Sequence, residues 1–203
     1  GVTGTLKILP KCQLNVLESW YKIQKFYSIP SVYGKSRREK LGTKVVKTDN
    51  HFTEICSSIK TQIDRNKPVI IFFPTIDMVN NFYQSREFEN LKQNAMTLTE
   101  KNDHDATKSR IIRATNSRAI TVLTKAFGRG IDFIVREKLQ VGGGLHVIQT
   151  FISEEQSEEI QIEGRSARQG SQGSYEMLIS EDELKNVSLD FQDVDGKNPQ
   201  KVG

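Results

Sequence analysis

The chain has 203 residues, of which 36% are hydrophobic and 27% are charged, and its formal net charge is +4 at pH 7. This length can bury one sizeable core, and the composition is typical of an ordinary globular protein. No apolar run approaches the roughly 20 residues of a membrane-spanning helix, and the start lacks the pattern of a signal peptide. Because the chain does not begin with Met, we expect it to be a fragment whose function depends on further residues.

The cysteines and histidines do not indicate a metal site. Cys12 and Cys56 are far apart and form no CxxC motif, so we expect reduced thiols rather than a disulfide framework. His51, His104 and His146 are scattered, without the spacing of metal ligands, and are predicted to be structural or solvated.

The positive charge is concentrated at the beginning of the chain. Residues 1–48 contain ten Lys or Arg and two Glu, a local balance of +8, which leaves −4 for residues 49–203. Such a basic segment could contact nucleic acid, anionic lipid or an acidic neighbouring domain, and charge does not choose among them.

In chain order, residues 11–27 have helical periodicity, residues 31–43 are polar and basic and predict a linker or hinge, and a helix follows around residues 52–63. From residue 67 onward, short apolar runs alternate with longer amphipathic segments. This pattern predicts strands at residues 69–73, 95–98, 119–123, 145–148 and 175–179, and helices at residues 76–88, 103–115 and 154–167. The helix at residues 103–115 is predicted to be capped by Asp103.

Strands that alternate with helices predict an α/β fold with a mostly parallel sheet covered by helices on both faces. Ligands of such sheets bind at the carboxyl ends of the strands. We therefore expect functional residues in the loops that follow strands.

Two arginines, Arg165 and Arg168, stand three residues apart between Gly164 and Gly170. On a helix this spacing puts both guanidinium groups on one face, where they can converge on one anion such as a triphosphate. In isolation, such a pair is better explained as a solvated basic helix end, and the rest of the chain shifts this preference.

A second motif, Gly128-Arg129-Gly130-Ile131-Asp132, follows the strand predicted at residues 119–123. Its glycines allow the backbone to approach a phosphate or ribose closely, and Asp132 can accept from a sugar hydroxyl or orient an arginine. Turn chemistry explains an isolated motif of this kind. Together with the two arginines, it predicts a two-part site at the ends of the strands.

A Walker A loop is not predicted. Gly34-Lys35-Ser36 resembles the end of one, but Ile29 stands where its first glycine is required and no strand precedes it. Without this loop and an acidic metal-binding strand, the chain has no evident means of holding Mg²⁺ and the β,γ-phosphates. We therefore do not expect it to hydrolyse ATP alone.

These motifs resemble the second RecA-like motor domain of superfamily 2 helicases, and most closely that of SecA, the protein-translocation ATPase family. Motif V of the family is similar to Gly128, Arg129, Gly130 and Asp132, and its motif IV is similar to residues 69–73. The Gly-Gly-Leu-His-Val-Ile strand, which distinguishes SecA from RNA helicases, is similar to residues 143–148. Motif VI is similar to Gln161, Gly164, Arg165, Arg168, Gln169 and Gly170, and residues 1–5 resemble the end of the first motor domain.

The resemblance implies that residues 1–48 are the end of the first motor domain and a basic connecting segment, and that residues 49–185 are the second RecA-like domain. Residues 186–203 are predicted to be a disordered tail, because the end of the chain is polar and lacks apolar groups to bury. The resemblance also implies that Arg165 and Arg168 are catalytic residues, acting as an arginine finger and as coupling residues. They would reach across to ATP, which the first motor domain would hold with Mg²⁺. Residues expected to bind or sense the nucleotide are Gly128, Arg129, Gly130, Asp132, Gln161 and Gly164. The implied partners are the first motor domain, unfolded preprotein and a SecY-type translocon, and the implied location is cytoplasmic or peripheral at a membrane.

The chain also departs from the family. Ile131 replaces the usual Thr of motif V, and Val135-Arg136-Glu137-Lys138 replaces two glycines. Residues 150–164 contain five Glu and no Lys or Arg, where the family has several basic residues, and we expect this reversal to disturb ion pairs of the family. Two alternatives therefore stay open, an RNA or DNA helicase domain and a catalytically silent scaffold derived from a motor.

Overall fold

The structure is a computed structural model that describes residues 8–134, 142–168 and 170–187. Its helices are α1 (Lys11–Ser19), α2 (His51–Asp64), α3 (Ile76–Gln84), α4 (His104–Ala114) and α5 (Gln156–Glu163). Its strands are β1 (Arg37–Val46), β2 (Val69–Phe73), β3 (Ala95–Leu98), β4 (Ile120–Thr124), β5 (Leu145–Gln149) and β6 (Gln172–Ser180). Residues 181–187 form a further helical segment.

The six strands form one sheet in the order β1-β6-β5-β2-β4-β3, and every neighbouring pair is parallel. Every residue of β2 is buried, as expected of a strand covered on both faces. One core cluster joins the sheet to α2 and α3, and the other joins it to α4 and α5. The predicted α/β fold, with helices on both faces of a parallel sheet, is confirmed.

Several predicted elements are shorter than their patterns suggested. The helix predicted over residues 11–27 ends at Ser19 and contains no buried residue, so packing does not extend it. The helix predicted over residues 76–88 ends at Gln84. Asp103 caps α4 as predicted, because its Oδ1 accepts from the backbone N–H of Ala106 at 2.7 Å.

The interpretation of residues 31–43 as a linker or hinge is wrong for their second half, because β1 begins at Arg37. This strand lies at the edge of the sheet, pairs with β6, and buries only Val46. Backbone hydrogen bonds to β6 hold β1 in the sheet. The strand therefore does not require the alternation of apolar and polar residues that is typical of a half-buried strand. A register shift between Lys40 and Gly42 interrupts the pairing.

Some predictions lie outside the described residues. These are the resemblance of residues 1–5, the departure at residues 135–138, the motif residue Gln169, and residues 188–203 of the predicted tail. The division of the chain at residues 48 and 185 stays a prediction. Within the described ranges, no helix is both long and apolar enough to cross a membrane.

A buried polar chain joins β5, β6 and α2. The hydroxyl of Ser174 lies 2.8 Å from Nδ1 of His146, and Nε2 of His146 lies 2.9 Å from Oε1 of Glu176. Ser58 also donates to Glu176. Burial raises the pKa of Glu176, but the hydrogen bonds from His146 and Ser58 outweigh it and lower the pKa below its usual value. These contacts give His146 the structural role predicted for it.

Candidate functional site

Two segments form the candidate site. The first, which we name the GRG loop, comprises residues 128–132 and follows β4 and a short 3-10 turn, Lys125–Gly128. The second, which we name the arginine turn, comprises residues 164–168 and follows α5. The structure brings the two segments together, as the sequence predicted.

The prediction that Arg165 and Arg168 share one helix face is wrong. The helix ends at Glu163, Gly164 is its C-cap, and residues 164–166 form a turn. A glycine at this point is typical of helix termination. The two side chains consequently bind different partners in the GRG loop.

Arg165 binds the backbone of the GRG loop. Its Nε donates to the carbonyl oxygen of Gly128 at 2.9 Å, Nη2 donates to the same oxygen, and Nη1 donates to the carbonyl oxygen of Ile131. Burial, together with the positive charge of Arg168, lowers the pKa of Arg165, although an arginine stays protonated in proteins. Arg165 therefore holds the loop in shape in this conformation.

We predict that Arg165→Ala lowers the free energy of unfolding by about 2–3 kcal/mol, because it leaves two carbonyl groups of a partly buried loop without their charged donor. Chemical denaturation monitored by circular dichroism measures the change. Arg168→Ala is the matched control and should cost less than about 1 kcal/mol, as expected for an exposed ion pair. Equal losses in the two variants would contradict the anchoring role of Arg165.

Arg168 forms an ion pair with Asp132, with Nη1 at 2.5 Å from Oδ1. The two side chains are 41% and 47% exposed, so water competes with the pair and either partner can exchange. The guanidinium of Arg168 is thus the more accessible of the two.

The other predicted site residues are arranged differently. Nη2 of Arg129 lies 3.3 Å from Oγ of Ser157 and 3.6 Å from Oε2 of Glu155, so Arg129 contacts the start of α5. The Cα of Gly128 packs against Ile162, and an added Cβ would lie 2.8 Å from its Cγ1. Gly130 has a φ of +72° and open space around it. Gln161 is half-buried within α5 and, among the described residues, has no hydrogen bond to the rest of the site.

Glutamates of residues 150–164 form ion pairs within the chain, while the expectation that they disturb ion pairs of the family stays a prediction. Glu154 lies 3.4 Å from Nζ of Lys125, Glu155 pairs with Arg129, and Glu163 binds two cations of β1. The sequence signal for the pairs of Glu163 was the opposite charge of residues 37–40 and 154–163, but these pairs depend on β1, a strand that the sequence did not predict.

A cleft of about 350 Å³ lies beside the GRG loop, at the carboxyl ends of β2 and β4. Its lining includes the cations Lys125 and Arg129 and four carboxylates, those of Glu100, Glu154, Glu155 and Glu158. Across residues 8–134, 142–168 and 170–187, no group of three or more His, Cys, Asp or Glu is placed to hold a metal ion.

The chain is similar to known proteins in sequence and in fold, although no protein-family model matches it. It is 30% identical over 150 residues to protein translocase subunit SecA 2 of Nitrosospira multiformis, which is 73% of this chain and 22% of that protein. It is 31% identical over 149 residues to protein translocase subunit SecA of Halothermothrix orenii, which is 72% of this chain and 17% of that protein. The chain therefore spans about a fifth of the length of the curated relatives it matches.

Among solved structures, domain 2 of the DEAD-box helicase Mss116p, solved with an RNA duplex, matches with a TM-score of 0.56 and 27% identity. The match covers 75% of this chain and 57% of that chain. The motifs, the parallel sheet and these similarities all indicate the same kind of domain. The chain is thus a SecA-like RecA domain of the type found in the C-terminal motor half of superfamily 2 helicases.

Proposed function

We propose that this chain is the second half of an ATP-driven protein-translocation motor and supplies arginines to ATP held by a first motor domain. The observation that carries the proposal is the arrangement of the arginine turn. Arg165 anchors the GRG loop, while the side chain of Arg168 is half-exposed and pairs with the exchangeable carboxylate of Asp132. One arginine thus fixes the geometry and the other is available to an anion.

The residues of the site fit the polyphosphate of ATP, because planar guanidinium groups bind phosphate oxygens in a bidentate manner. They do not fit Mg²⁺, since the described part of the chain contains no suitable group of metal ligands. We therefore assign Mg²⁺ and the β,γ-phosphates to the first motor domain. ATP would supply the γ-phosphoryl group, and this chain would supply cationic stabilisation of the charge that develops on it.

Domain closure would bring Arg168 from Asp132 to the phosphate. Asp132 stabilises the waiting side chain when the domains are apart, and its weak, solvated pairing lets the arginine leave at little cost. Arg165 connects the same turn to the carbonyl groups of Gly128 and Ile131, so a movement of the turn reaches the GRG loop directly. Arg129 extends this connection to α5 through Ser157 and Glu155.

The cleft beside the GRG loop supports a polypeptide substrate over a nucleic acid. Its four glutamates outnumber its two cations, and such a surface repels a phosphate backbone. The named relatives are protein translocase subunits, which supports unfolded preprotein as substrate and a membrane translocon as partner. On this proposal the protein works in the cytoplasm or at the membrane surface.

The test is ATP turnover by the full-length protein, including its first motor domain, with Mg²⁺ and with unfolded preprotein, single-stranded RNA or no addition. We expect preprotein to raise kcat several-fold and RNA to leave it unchanged. Stimulation by RNA alone, lost at high salt, would favour a helicase. No turnover under any condition would favour a silent scaffold.

A further inference from the structure

Glu163, the last residue of α5, binds two cations of the edge strand β1. Its Oε2 lies 3.3 Å from Nη1 of Arg38, and its Oε1 binds Nζ of Lys40. The side chains of Glu163 and Arg38 are only 8% and 14% exposed. This pair is therefore much less exposed to water and dissolved ions than the pair of Arg168 and Asp132.

Arg38 makes a second contact on the other side of Arg165. Its Nε donates to Oγ of Ser166 at 2.9 Å, and that hydroxyl donates to the carbonyl oxygen of Glu163 at 2.8 Å. Ser166 is 1% exposed. The guanidinium group of Arg38 thus binds Glu163 and Ser166, which lie on either side of Arg165 in the sequence.

We propose that Arg38 and Glu163 are positioning residues for the two arginines of the arginine turn. The inference rests on the proposed function, because positioning matters only if Arg165 and Arg168 meet a nucleotide. A guanidinium has a planar, fixed set of donors. When it is bound at both ends, it fixes the direction in which the turn leaves α5.

Two observations separate positioning from simple support of the fold. The strand β1 is already attached to β6 by backbone pairing from Arg37↔Gln172 to Val46↔Ser180, and a buried ion pair adds little net stability beyond such pairing. In addition, β1 carries a second ion pair, Lys44 with Glu54 of α2 at 2.6 Å. That pair is more exposed, lies away from the arginine turn and provides a matched control.

The first test is the ATP turnover of full-length Glu163→Gln and Arg38→Gln variants, corrected for the folded fraction. We expect kcat to fall by about 10- to 100-fold, the effect of a misplacement of about 1 Å, while KM for ATP stays within about twofold. Lys44→Gln should leave kcat within about twofold. A kcat of Glu163→Gln equal to that of Lys44→Gln would overturn the inference.

A double-mutant cycle with Arg165→Lys separates positioning from general damage. If Glu163 acts through Arg165, the loss caused by Glu163→Gln becomes much smaller when Arg165 is already replaced. The same loss in both backgrounds would overturn the inference. If Arg165→Lys and Arg168→Ala leave kcat unchanged, the proposed function itself fails. If they lower kcat and Glu163→Gln does not, only the positioning role fails.

Amide hydrogen exchange on this chain gives a readout that needs no turnover. Glu163→Gln should speed exchange at residues 164–168 and leave α2 and β2 unchanged, whereas Lys44→Gln should leave the arginine turn unchanged. Unaltered exchange at the turn in Glu163→Gln would overturn the inference.

Discussion

Arg168→Ala is expected to lower kcat for ATP hydrolysis by the full-length protein by about 10³-fold, the lower limit for the loss of an arginine finger. The free energy of unfolding should change by less than about 1 kcal/mol, because the side chain is 41% exposed and its partner is the equally exposed Asp132. The combination of a large kinetic effect with a small effect on stability is what distinguishes Arg168 from Arg165.

The measurement is steady-state ATP turnover, together with chemical denaturation of the same preparations. Arg168→Lys keeps the charge without the bidentate geometry, so we expect it to recover only part of the activity. Arg113→Ala removes an exposed arginine at the end of α4 and should leave kcat unchanged. A loss smaller than about tenfold in Arg168→Ala would contradict a finger role.

Gly173→Ala is expected to lower the free energy of unfolding by about 3 kcal/mol or more, because losses of this size come from severe overpacking. A Cβ at this position would lie 1.6 Å from the carbonyl oxygen of Ser166 and 2.9 Å from that of Leu145. Both atoms are backbone, and Gly173 is paired with Arg38 on one side and Leu145 on the other. The conflict therefore cannot be relieved by a rotation of one side chain.

Gly42→Ala is the control for this prediction. Gly42 has a φ of +91°, and an added Cβ would have no atom within 4 Å beyond the adjacent residues. The substitution therefore carries only the cost of a left-handed backbone, about 1–2 kcal/mol. Urea denaturation of both variants measures the difference. If both variants lose the same stability, the close packing of the arginine turn on β6 is not as described.

The sequence predicted the buried strands well because their residues are apolar without interruption, as in β2. It did not predict β1, because an edge strand with exposed side chains has no apolar pattern. Residue spacing placed Arg165 and Arg168 on a helix, whereas Gly164 ends the helix first.

The site was predicted in part. The approach of the arginine turn to the GRG loop followed from the order of strands in a parallel sheet, and the structure adds which atoms meet. The contacts of Glu163 with Arg38 and Lys40 were beyond prediction, because they join distant parts of the chain and depend on the register of β1 against β6. The same is true of Gly173, whose importance appears only from what surrounds it.

The position of β6 has a consequence for the order in which the protein is made. Among the described strands, β6 is made last and lies between β5 and β1, so during synthesis β1 cannot pair with its partner in the sheet until β6 has left the ribosome. Until then β5 and β1 each expose an edge that β6 later covers, and unpaired strand edges are templates for aggregation. Closure also requires contacts between distant parts of the chain, which are slow to form. We therefore expect the nascent chain to be most prone to aggregation before β6 is complete.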